Sequence, residues 1–108
     1  DVSGRTICTG SCDIVQGGNF HIVANSGQAG IVPGVNLAFA SGLSFAGQFA
    51  YCRDGGVVRC PIPGVTFSGS FSGQKGYASI LGILDCSGGA NSIPGSIDCG
   101  ANYGGQVY

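Results

Sequence analysis

Few residues in this chain could do chemistry. There is one histidine, His21, in Asn19-Phe20-His21-Ile22-Val23, together with five aspartates, no glutamate and six cysteines at 8, 12, 52, 60, 86 and 99. A Ser-His-Asp arrangement would need His21 as general base and Asp13, Asp85 or Asp98 to orient it. No Gly-x-Ser-x-Gly turn presents a serine nucleophile, and a single histidine on a short strand reads as a structural residue. Two of the five aspartates would have to serve as a glycosidase pair, with no tryptophan to stack a sugar ring. Cys8-x3-Cys12 and Cys52-x7-Cys60 are not the short paired loops that close a zinc tetrahedron. Lys75, in Gly73-Gln74-Lys75-Gly76, lacks the phosphate-loop pattern. The chain is therefore expected to be non-enzymatic, with no catalytic residue, metal or cofactor.

The cysteines point elsewhere. An even number of them in 108 residues that carry only nine charged side chains reads as a disulfide framework for an oxidising compartment. The expectation is a secreted, extracellular protein with a leader removed ahead of Asp1. Cys8, Cys12, Cys52, Cys60, Cys86 and Cys99 would all be paired. Six cysteines permit 15 connectivities. The turn residues between Cys52 and Cys60 suggest a hairpin with those two opposed and Arg53 facing Arg59. Cys86 to Cys99 would close a polar loop, leaving Cys8 with Cys12, and a long bridge from the N-terminal pair to the C-terminal region is the alternative. The net charge of −1 is scattered, with no basic cluster for nucleic acid, and no apolar run is long enough to span a membrane.

Those cysteines must be positioned by short strands. Gly occupies 22 positions, too many for a mainly helical fold, since each interior glycine costs a helix about 1 kcal/mol. Thr6–Thr9, Asp13–Gln16, Phe20–Ala24, Val35–Ala40, Leu43–Tyr51, Val57–Cys60, Val65–Phe71 and Tyr77–Asp85 read as strands between Gly-containing turns. Val35, Leu37 and Phe39 share one face, and Val65, Phe67 and Phe71 another. Over 77–85 the apolar spacing also fits a short helix, although Ile80, Gly82 and Ile83 favour strand. Pro-Gly recurs at 33, 63 and 94, and Phe45-Ala-Gly-Gln-Phe49 echoes Phe67-Ser-Gly-Ser-Phe71. The two echoes are out of register, so similar turns within one sheet explain them better than a solenoid. Residues 1–108 are expected to form a single all-β domain, a small disulfide-stapled barrel or sandwich.

Tyr51, Tyr77, Tyr103 and Tyr108 could form an amphipathic patch for a glycan or protein. Tyr51 and Tyr77 lie inside apolar alternations and read as core or wall, which leaves Tyr103 and Tyr108 as the candidate binding surface. The scarcity of charge also suggests a homodimer, joined through a strand edge or through an apolar face around Phe45, Phe49 and Phe71.

Cys8-Thr9-Gly10-Ser11-Cys12 near the start, Cys52…Cys60 in the middle and Cys86…Cys99 near the end together resemble the small secreted cysteine-rich proteins of filamentous fungi. That group includes elicitors and effectors such as those released by Trichoderma. The resemblance is one of overall type and carries no site residue onto this chain. It implies a recognition role outside the cell, in fungus–plant or fungus–microbe contact, with a host or competitor protein or glycan as partner. The alternatives are a secreted antimicrobial or killer-type toxin, and a small hydrolase or hydrolase inhibitor.

Overall fold

In the computed structural model, which describes residues 11–14 and 18–108, the chain winds as a parallel β-solenoid. The first coil carries β1 (Ser11–Ile14), β2 (Gly18–Asn25) and β3 (Gln28–Gly30), and the second β4 (Asn36–Phe39), β5 (Ser44–Arg53) and β6 (Val57–Arg59). The third carries β7 (Thr66–Ser68), β8 (Ser72–Ala78) and β9 (Ile83–Asp85). The last has a single 3-10 turn at Ala90–Ser92 followed by β10 (Gly100–Ala101) and β11 (Gln106–Val107). Strands one coil apart pair side by side, giving three sheets in the orders β1-β4-β7, β10-β8-β5-β2 and β11-β9-β6-β3.

The all-β expectation is met, but the barrel or sandwich is not. Every strand pairing is parallel, whereas the hairpins of a barrel would pair antiparallel. Asp54 and Gly55 show how the two readings separate. Both have left-handed backbone, with φ of 53° and 74°, as in a hairpin turn, yet here they carry the chain from β5 onto the next face instead of back along itself. Arg53 therefore does not face Arg59. Arg53 pairs with Asp54 at 3.0 Å, and Arg59 lies in register with Asp85 one coil on.

The segment 77–85 holds no helix. β8 ends at Ala78, Ile80 and Leu81 both adopt left-handed backbone with φ of 48° and 61°, and β9 starts at Ile83. Two successive left-handed residues break a right-handed helix, and among the described residues there is no α-helix.

Inward side chains stack in columns along the solenoid axis. Val35 lies beside Val65, Leu37 against Phe67, and Val58 on Leu84, all within one hydrophobic core. Phe39, Phe45, Phe49, Phe67 and Phe71 form a linked aromatic cluster with centroid separations of 5.0 to 6.4 Å. Phe45, Phe49 and Phe71 are thus inside the molecule and cannot offer the dimer face expected of them.

The repeat is real although its period drifts. Gly27, Gly56, Gly82 and Gly105 each stand immediately before a strand of the third sheet, at intervals of 29, 26 and 23 residues. Pro33-Gly34 and Pro63-Gly64 occupy equivalent corners, with the Gly34 N–H donating to the Gly64 carbonyl at 2.8 Å. Pro94-Gly95 does not join them, because the Pro94 carbonyl accepts from Phe71 at a different corner.

Candidate functional site

Between the second and third coils the repeat keeps seven residues unchanged. At an interval of 26 residues Ser44, Phe45, Gly47, Gln48, Tyr51, Gly56 and Cys60 recur as Ser70, Phe71, Gly73, Gln74, Tyr77, Gly82 and Cys86. Stacked coils turn such a repeat into ladders of like side chains. Inward positions give the Phe45–Phe71 contact, with centroids 5.1 Å apart, and outward positions build a surface.

That surface lies on the second sheet, where β5 pairs with β8. Gln48 faces Gln74 in register and Tyr51 faces Tyr77. The Gln48 Nε2 donates to Gln74 Oε1 at 2.9 Å, and Gln74 Nε2 donates onward to the Asp98 carbonyl at 3.0 Å. The tyrosine rings stack with centroids 6.4 Å apart and planes inclined by 26°. Gly100 on β10 makes room for them. A Cβ there would sit 2.9 Å from Tyr77 Cε2 and 3.1 Å from Gln74 Nε2, which also places the amide and the ring on one face. Tyr51 and Tyr77 are half-buried. Arg53, two residues past Tyr51 on β5, carries a cation at the end of the same row.

The tyrosines brought together are therefore Tyr51 and Tyr77, the pair the alternation assigned to a wall. Tyr103 and Tyr108 are exposed as expected, at 77% and 50%. They flank β11, with Tyr103 at a corner beside the exposed Leu81, whose N–H donates to its carbonyl at 3.0 Å. Tyr108 continues the strand, its N–H bonded to the Leu84 carbonyl and its hydroxyl to Gln106. The 26-residue interval was the available signal for Tyr51 and Tyr77. The Pro-Gly recurrence, at a different spacing, masks it.

Of the triad candidates, Asp85 and Asp98 do not lie together with His21. Cys8 lies outside the described residues, as do the side chains of Cys12, Asp13 and His21. His21 belongs to β2, at the opposite edge of the second sheet from β10, so about 14 Å of sheet separates it from the segment bearing Asp98. Asp98 instead meets Lys75 Nζ at 2.8 Å. Asp85 stands on the third sheet, where its Oδ1 accepts from the Ser87 N–H at 3.1 Å.

Cys52, Cys60, Cys86 and Cys99 are in the thiol state in this structure, the first three buried. Cys52 donates weakly to the Tyr77 carbonyl at 3.7 Å and Cys99 to the Ala90 carbonyl at 3.6 Å. Burial pushes both thiols up to about 11. Cys60 and Cys86 share a side-chain hydrogen bond, which holds Cys60 below the ordinary thiol range and, with burial, drives Cys86 above it. The hairpin pairing of Cys52 with Cys60 does not form, because these residues follow one another onto two different sheets.

Among the described residues no group of three or more potential ligands could hold a metal, and no helix is long and apolar enough to cross a membrane. A groove of about 480 Å³ runs between Gln28–Pro33 and Arg59–Pro61, mostly apolar and edged by the Arg59 cation. No family model, curated protein or solved structure matches the chain.

Proposed function

We propose that the chain is a secreted, non-enzymatic recognition protein of the elicitor or effector type, and that it binds a neutral glycan of a host or competitor cell surface along its second sheet. The observation that carries this reading is the double ladder on that sheet, the stacked Tyr51 and Tyr77 beside the bonded Gln48 and Gln74. Aromatic faces take up the apolar side of a sugar ring, and amides offer donors and acceptors to its hydroxyls. Coils about 4.8 Å apart repeat these groups on the scale of a sugar ring. With a formal charge of only −1 over the whole chain, a neutral polymer suits the surface better than a polyanion.

Sedimentation with insoluble cell-wall polysaccharides, followed by titration of soluble oligosaccharides, tests the reading. Tyr77→Ala should weaken binding about tenfold, the loss of one good stacking contact, whereas Tyr103→Ala should leave it unchanged. Equal binding by wild type and Tyr77→Ala, or no glycan bound, would refute it. Leaf infiltration with both proteins then asks whether binding elicits defence, and growth inhibition of microbes without glycan binding would favour a toxin. We further propose a homodimer. The C-terminal coil leaves β10 and β11 at the edges of their sheets, where a second copy could continue the ladders end to end. A monomeric mass by light scattering at micromolar concentration would exclude it.

A further inference from the structure

Cys60 and Cys86 are the same position of the 26-residue repeat on consecutive coils. The Cys60 N–H donates to the Asp85 carbonyl at 3.0 Å, extending the register that places Arg59 opposite Asp85. Both side chains point into the core, with 1% and 0% exposure, and each thiol shifts the ionisation of the other. Adjacent coils bring such Cα atoms within about 5 Å, inside the window a disulfide requires.

We infer that Cys60 and Cys86 form an inter-coil disulfide that staples the second coil to the third. Among the described residues, neither Cys52 nor Cys99 has a cysteine in register on the coil beside it. Cys52 lies in register with Ala78 and Cys99 with Gly76, so each faces a residue without sulfur in the third coil. Cys52 and Cys99 sit two coils apart, about 9.5 Å by strand spacing, beyond reach of one another.

The electron acceptor is a disulfide donor of the kind that oxidises nascent secreted chains. The Cys60 thiolate attacks the donor disulfide and releases one donor sulfur as a thiolate. The Cys86 thiolate then attacks the Cys60 sulfur of that mixed disulfide and releases the second donor sulfur. The protein loses two protons and two electrons, and the donor leaves as a dithiol. The finished pair is too deeply buried to exchange with an external thiol, so the bond forms before the third coil closes over Cys60.

The test uses the wild-type chain produced in a host that forms disulfides, with free thiols blocked under denaturing, non-reducing conditions. Cleavage after Arg and Lys and before Asp separates the relevant cysteines into fragments 13–53, 60–75, 85–97 and 98–108. Mass spectrometry should find 60–75 linked to 85–97, and reduction should release both. Blocked thiols at Cys60 and Cys86, or linkage of 60–75 to 13–53 or 98–108, would overturn the inference. Because the wild-type protein is mapped, a variant that fails to fold cannot obscure the result.

Discussion

Gly56→Ala is the sharpest probe of the solenoid. A Cβ on Gly56 would lie 2.3 Å from the Ala24 carbonyl oxygen of the coil before it, where a carbon and an oxygen need about 3.3 Å. The coils must part there by about 1 Å. The bonds beside it, Val57 N–H to the Gly27 carbonyl at 2.9 Å and Ser26 N–H to the Arg53 carbonyl at 3.2 Å, would then stretch beyond useful length. Two such bonds contribute about 0.5–1.5 kcal/mol each, and the strain of overpacking adds about 1–3 kcal/mol, so a loss of about 2–6 kcal/mol is expected. Gly27 is the internal control. It occupies the same corner of the first coil, has nothing within 4 Å of its Cβ position among the described residues and needs no left-handed backbone. Gly27→Ala should be neutral or stabilise by about 0.4–1 kcal/mol through the unfolded chain. Urea unfolding, with slopes of about 1–3 kcal/mol per molar, should show a midpoint lower by at least about 0.7 M for Gly56→Ala and an unshifted or higher one for Gly27→Ala. Equal midpoints for the two variants would refute the stacked-coil geometry.

The alkaline limb of stability should depend on thiol state. Burial raises Cys52 from 9.0 to about 11 in the folded protein, so its stabilising contribution is fully present below pH 9 and is lost as pH climbs from 9 to 11. In reductant the wild type should therefore lose about 2 kcal/mol more across that window than Cys52→Ala does, and parallel urea curves for the two would contradict the assignment. Lys75, only 13% exposed, holds the last coil by bonding the Asn91 carbonyl and Asp98 Oδ1, both at 2.8 Å. Lys75→Met should cost about 1–3 kcal/mol, because the Asn91 carbonyl and the Asp98 carboxylate both lose a charged donor. Asp98→Asn should cost under about 1 kcal/mol, since that carboxylate is 74% exposed; similar losses in thermal unfolding would show that the ion pair, not the carbonyl contact, matters.

What the sequence made legible was local. Val35, Leu37 and Phe39 alternate inward as their spacing implied, and the turns fall at Gly-rich breaks. The path between strands was not legible, because a strand, a left-handed Asp-Gly and another strand are the same string whether the chain doubles back or turns onto a new face. Only pairing partners distinguish the two, and these sit about 26 residues away. The repeat was obscured by its own drift. Intervals of 29, 26 and 23 between the corner glycines defeat a search for one period, and Pro94-Gly95 mimics the repeat from the wrong corner. The same drift sets the size of the proposed site. Tyr51 and Tyr77 are flanked in register by Val23 on one side and Gly100 on the other, so the aromatic ladder is two rungs long and a ligand can engage it over about 10 Å. An oligosaccharide of two or three rings should therefore reach nearly the full affinity of a long polymer per binding site. A steady rise in affinity with chain length beyond that would place the recognition surface elsewhere.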